Sequence, residues 1–256
     1  MSGRKVASGA VLCIVLLAPM NLDALARGTR GMPVPALMLR AAAVYAANVQ
    51  GIIGMQRHFS TVLHAGPIHH SEESDSGLLM KNGRFEKLKY VRIADDGKAF
   101  SAQQIMQRDA QTNQDWTVGK IFFKEPYDRR FMSDYVFDTP RACAACPPGA
   151  VAINFGSSIR DTQHGSGTVW IDRATGRVDR LTYIPNVLPS HATFGTVTET
   201  SGWAMHGVWY VTRIDGSYRG RAFILTGSGT FTGVFDHFRR FATVTKGVAA
   251  LDAGTI

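Results

Sequence analysis

The chain has 256 residues, 45% of them hydrophobic and 19% charged, and its 28 Lys and Arg outnumber 20 Asp and Glu to give a net charge of +8. That length exceeds an average domain but suits one large β-sheet or barrel domain. A positive charge of this size can draw a protein to anionic lipid or acidic polymers, but more simply it aids solubility. No nucleic-acid-binding signature accompanies it, so nucleic acid is excluded as an expected partner.

The N-terminus reads as a secretory signal. Arg4 and Lys5 precede an apolar run, Ala10 to Met20, and Ala24-Leu25-Ala26 fits a small-x-small cleavage site. The run falls short of the about 20 residues that span a bilayer, and no later segment approaches that length. The expectation is an exported, periplasmic protein with residues 1–26 removed and residues 27–35, which carry Gly and Pro, disordered. From Ala36 the composition turns to Leu, Met and Ala. Leu37, Arg40/Ala41, Val44/Tyr45, Asn48 and Ile52 recur at helical spacing, which predicts a helix to about Gly51 with one apolar stripe and with Pro33 or Pro35 at its start.

His58–Leu63 then reads as extended, and His64–Ser76 as a polar break containing His69-His70-Ser71-Glu72-Glu73. Imidazole and carboxylate suit a transition metal, but nothing fixes their geometry and no metal site is assigned. Gly77–Asn82 and Leu88–Ala94 read as strands, with Asp95-Asp96-Gly97 as a tight turn. Ser101 is a helix N-cap for Ala102–Asn113, with Gln104 as its capping-box partner. Gly119–Phe123, Tyr135–Asp138 and Val151–Phe155 follow as further strands.

Beyond the signal only Cys143 and Cys146 remain, in Cys143-Ala144-Ala145-Cys146-Pro147-Pro148. An even count in an oxidising compartment points to a local disulfide. The Cys-x-x-Cys spacing also occurs in redox dithiols, but those sit at a helix N-terminus, whereas two prolines and Gly149 here favour a loop. Zinc would need two more ligands.

Residues 165–241 organise the chain. Gly167–Asp172 and Arg177–Ile184 flank a turn ending in Gly176, a hairpin signature. The runs Ala192–Thr200, Gly207–Ile214, Tyr218–Thr226 and Thr230–Phe241 follow with no helix-length gap, so the sheet is predicted to be antiparallel. Val169-Trp170-Ile171, Val208-Trp209-Tyr210-Val211 and Phe223-Ile224-Leu225 place large apolar groups on both strand faces. Both faces therefore need cover, by helices, by curling or around an apolar ligand. No enzymatic constellation stands out: His164, His191, His206 and His237 are scattered, and Asp172 has the position of a turn-capping residue.

The hairpin Gly-Thr-Val-Trp-Ile-Asp-Arg-Ala-Thr-Gly-Arg-Val-Asp-Arg-Leu (Gly167–Leu181), behind an export signal and an amphipathic helix, resembles the LolA/LolB-like periplasmic lipoprotein carriers. The late Phe235-Asp236-His237-Phe238-Arg239-Arg240-Phe241 strand is similar to the closing strand of bacterial members. The resemblance implies an α+β fold: a strongly curved antiparallel sheet, an unclosed β-barrel, with an N-terminal helix and further short helices covering the concave face. It spans one domain, residues 36–246, followed by a flexible tail at 247–256. It further implies a non-enzymatic carrier, without cofactor, for the acyl chains of a lipid or lipoprotein. The residues expected to line the ligand are Trp170, Trp209, Phe223, Val44 and Ile52. Two alternatives stay open: an envelope structural protein that binds membrane-associated envelope proteins by a sheet edge, and a thiol-redox protein using the Cys pair.

Overall fold

A computed structural model describes residues 34–117, 123–142, 146, 148–188, 192–222 and 225–256. The expected signal, residues 27–33 and the strand expected at Gly119–Phe123 therefore lie wholly or largely outside the described residues. Pro35 precedes the first helix, α1 (Ala36–Asn48), where a fixed φ suits helix initiation. Its buried residues Met38, Ala41 and Ala42 stand at the i, i+3, i+4 spacing of one helical stripe.

The strands are β1 (Ile52–Ala65), β2 (Ile68–Lys81), β3 (Arg84–Asp95) and β4 (Lys98–Ala99), then β5 (Val136–Phe137), β6 (Ala150–Gly156), β7 (Gly165–Asp172) and β8 (Val178–Pro185). The long strands β9 (Ala192–Met205), β10 (Val208–Ala222) and β11 (Leu225–Phe241) complete an eleven-stranded sheet in the order β4-β3-β2-β1-β11-β10-β9-β8-β7-β6-β5. Two meanders thus meet where β11 pairs antiparallel with β1, from Ile52↔Phe241 to Ala65↔Gly227. The edges β4 and β5 do not pair with each other, so the curved sheet is an unclosed barrel, as expected.

Two readings of strand boundaries are corrected. His64–Ser76 is not a break: β1 and β2 form one long hairpin arm, with Thr61↔Glu72 and His64↔His69 in register. The backbone ladder is satisfied whatever the side chains, so polar residues extend a hairpin once its turn is set. Likewise, Gly207–Ile214 and Tyr218–Thr226 are not divided at Gly216, which lies within β10, and the second run passes from β10 into β11. A Cβ at Gly216 would collide with the Phe231 ring opposite it, and one at Gly229 would collide with Tyr218. These glycines are seats for cross-strand aromatic rings and not turns.

Helix α2 (Ala102–Thr117) starts as the capping box predicts and runs past Asn113. Ser101 N donates to Gln104 Oε1 at 2.8 Å, and Gln104 N donates to Ser101 Oγ at 3.4 Å. Residues 247–256, expected as a flexible tail, include the last six residues of helix α3 (Val244–Asp252) and pack on the sheet. Leu251 and Ile256 are buried there against Leu79, with Ile52, Phe241 and Val248 around them. The alternation of β2 explains its two apolar faces: Leu78 belongs to the cluster with Met55 and Leu88, while Leu79 turns to α3. Over β6–β8 the inner face carries the main core, where Ile153, Val169, Ile171 and Leu181 pack with Met38 and Ala42 of α1.

Candidate ligand cavity

The core under α1 covers only part of the concave face. The rest forms an open-sided cavity of about 1030 Å³, bounded by the sheet, α2, the C-terminal end of α1 and residues Phe123–Phe131. The inner row of β1 supplies Met55, Arg57 and Phe59, and Leu78 and Met80 come from β2. From the other meander come Ile214, Phe231, Phe235, Val197 and Glu199.

Helix α2 is fixed as the wall by hydrogen bonds that imitate a neighbouring strand. Asn113 Oδ1 accepts from Leu88 N at 2.9 Å while Asn113 Nδ2 donates to Leu88 O at 2.8 Å. Asp109 Oδ1 accepts from Tyr90 N at 2.7 Å, and burial raises that carboxyl's pKa. The outer edge of β3 beyond the two-residue β4 is thereby blunted. No residue of α2 is itself buried, so the helix stands over the hollow more than it fills it. Trp116 of α2 stacks on Phe85 with ring centroids 4.7 Å apart, and Arg108 pairs with Glu72 at 2.5 Å.

Aromatic rings form about a third of the lining: Phe59 stacks on Phe231 at 5.6 Å and Phe123 on Tyr183 at 3.6 Å. Polar groups are as numerous, with Glu72, Arg84, Glu86, Arg108 and Asp115 among them, and two sets are distinguished by burial. On β1, the Arg57 guanidinium lies 5.1 Å from the Phe59 ring centre and 5.8 Å from that of Tyr90, and its buried Nε has no hydrogen-bond partner among the described residues. On the α1 side, Glu125 and Glu199 both line the cavity beside Tyr45, Tyr183 and Tyr210. Glu199 is only 5% exposed. Burial raises both carboxyls above the ordinary glutamate value, and Glu125 raises Glu199 further by like-charge repulsion. Burial likewise lifts the Tyr45, Tyr127 and Tyr210 phenols, which stay protonated donors. Arg130 is engaged elsewhere: its Nε donates to both Asp128 oxygens at 3.0 and 2.9 Å, and its Nη2 to Gly83 O at 3.1 Å.

Of the residues expected to bind ligand, Val44 and Trp209 come together in a separate small hollow of about 20 Å³. It adjoins the large cavity through Tyr45 and Tyr210, which line both. The Trp209 indole donates to Val178 O at 2.8 Å. Trp170 alternates with the core residues Val169 and Ile171, so it faces the opposite side of the sheet, where Arg180 lies 5.7 Å from its ring. Ile52 packs at the α3 junction. Phe223 and Cys143 lie outside the described residues, so the Phe223 contact and the Cys143–Cys146 disulfide stay expectations.

Sequence reasoning named Tyr45 in the helical stripe but missed Arg57, Glu125 and Glu199. Glu199 did leave a trace: it shares strand parity with Val197, a charge on an inward row. The His/Glu segment also resolves differently. His70 Nδ1 lies 3.1 Å from Asp95 and 3.5 Å from Asp96, but Asp96 Oδ1 already accepts from Ser71 N at 2.7 Å, so the group closes a turn.

No protein-family model matches the chain, and no curated protein sequence does. Among solved structures, a DUF1329 family protein from Desulfovibrio piger aligns with a TM-score of 0.41 at 11% identity, covering 86% of this chain and 99% of its own. A LolA superfamily protein from Nitrosomonas europaea aligns with a TM-score of 0.38 at 12% identity, over 81% of this chain and 96% of its own. An outer membrane lipoprotein-sorting protein domain from Vibrio parahaemolyticus gives 0.38 at 11% identity, over 84% and 96%. At such values no functional conclusion follows from them. The chain is similar to LolA superfamily and lipoprotein-sorting proteins in its unclosed, curved antiparallel sheet with helices.

Proposed function

We propose that the protein is a non-enzymatic periplasmic carrier that holds an apolar or acylated molecule, a lipid or a lipoprotein's acyl chains, in the cavity between the concave sheet and α2. The observation that carries this reading is the cavity itself: about 1030 Å³ lined by Met55, Phe59, Leu78, Phe231 and Phe235. Ligand sites are concave, mostly apolar, and about 300–1,000 Å³ in volume, and this one lies just above the upper end of that range. Burial of an acyl chain at about 25 cal/mol per Å² would supply the affinity. No cofactor is needed for such work. The periplasmic location rests on the signal-like N-terminus.

The test is native mass spectrometry of the exported protein, purified from a periplasm without strong detergent. Bound species of phospholipid or acyl-peptide mass, lost when Leu78→Asp or Phe235→Asp is introduced with the fold intact, support the carrier. An empty protein that also fails to take up a fluorescent fatty acid sinks it.

A further inference from the structure

We propose that the end of the cavity around Glu199 and Glu125 receives a positively charged nitrogen, so that the cargo is an apolar molecule bearing an amine or ammonium group. This rests on the carrier reading and adds the chemistry of the ligand's polar end.

Glu199 stands in mid-β9 paired with Ile214 and Leu181, far from any strand end. It is more than nine-tenths buried and lines the cavity. Its one hydrogen bond among the described residues comes from Tyr127 Oη at 3.5 Å, near the outer limit for such a bond. Glu125 lines the same cavity. A buried glutamate carboxyl stays protonated unless a cation or several donors meet it. The nearby cation cannot do so, because Arg130 is held by Asp128 and by Gly83 O. Arg108 is likewise held by Glu72, Arg57 lies over Phe59 and Tyr90, and Arg84, which also lines the cavity, is exposed at the start of β3. An arriving ammonium is met by a carboxylate whose proton has passed to solvent.

The surroundings of the two acids suit a cation in a second way. Tyr45, Tyr183, Tyr210 and Phe123 line the cavity with them. Aromatic faces attract a desolvated cation, ammonium included. A carboxylate or phosphate placed here would instead meet two acids and the negative faces of the rings. The charges at this end of the cavity therefore select the sign of the ligand's head, and the apolar wall formed by Phe59, Phe231 and Phe235 takes its tail.

The test uses the full exported protein with Nile red, a neutral apolar dye, displaced at pH 7 by hexadecylamine, hexadecanol or hexadecanoate below their aggregation concentrations. The expected result is displacement by the amine at a concentration about tenfold lower than by the alcohol, with the acid weakest. Glu199→Gln and, separately, Glu125→Gln should bring amine and alcohol within about threefold of each other, each compared against that variant's own Nile red affinity. Nile red uptake with no preference for the amine, or a preference untouched by both substitutions, overturns the amine assignment and leaves the carrier standing. Failure of the folded protein to take up Nile red or any of the three competitors overturns both.

Discussion

Tyr127 Oη reaches Glu199 Oε2 across 3.5 Å, between an inner-face acid of β9 and a tyrosine that packs under α1. This long contact offsets little of the cost of burying the carboxyl, so the folded state favours its protonated form. The pKa is raised by burial first and by Glu125 second. The unfolded chain releases that proton at the ordinary glutamate value of 4.5. Stability from this group is therefore complete below that value and is lost as pH rises toward the folded value. The slope cannot exceed about 1.4 kcal/mol per pH unit for one group. Thermal unfolding followed by circular dichroism from pH 5 to 8 should show the midpoint falling, and Glu199→Gln should flatten the fall. A wild-type midpoint that rises over this window would contradict the raised pKa.

His58 acts in the same direction from the other face and can be separated by site-specific measurement. Its Nδ1 lies 2.8 Å from Asp75 and its Nε2 3.4 Å from Asp236. The hydrogen bond with Asp75 is the leading cause that raises its pKa above 6.5, with Asp236 adding to it. Proton NMR should find the His58 ring titrating above that value, and Asp75→Asn should bring it back down. A wild-type His58 titrating at or below the ordinary value would show that the ion pair does not form in solution.

Gly216 and Phe231 test whether the cavity depends on the seats for aromatic rings. Phe231 lies over Gly216 and stacks on Phe59, and both rings line the cavity. In Gly216→Val the ring must leave its place. Overpacking of this kind costs about 1–3 kcal/mol. Chemical denaturation should show that loss, and uptake of an apolar dye should weaken with it. Wild-type stability with unchanged uptake would mean that Phe231 has room the structure does not show.

Much of the fold was legible because its signals are local. The capping box at Ser101 and Gln104, the Asp95-Asp96-Gly97 turn and the Gly167–Leu181 hairpin each follow from short-range chemistry. Errors came where the deciding partner is remote in sequence. Gly216 reads as a punctuation mark unless Phe231 is known to sit opposite, and Ile256 reads as a tail unless Leu79 is known to receive it. The site was less legible than the fold. Trp170 and Trp209 attract notice by size, yet parity sends Trp170 to the outer face and Val178 O holds the Trp209 indole. Glu125, Glu199 and Arg57 become conspicuous only when curvature brings β1, β9 and the 123–131 segment around one hollow.

Asn113 gives the sharpest test of how that hollow is walled. Its carboxamide makes both hydrogen bonds to Leu88, and its Nδ2 also donates to Asp109 O at 2.7 Å. Asn113→Ala leaves the Leu88 N–H and C=O without these partners, at about 1–3 kcal/mol. Because α2 contributes no buried residue to the core, the loss should appear as local opening of the helix more than as global unfolding. Hydrogen exchange should accelerate at the Leu88 and Tyr90 amides and along α2, while amides of the β1–β11 pair keep their protection. Uniform acceleration across the sheet would instead make α2 part of the cooperative core. If no amide changed its rate, Asn113 would not be the pin that its hydrogen bonds describe.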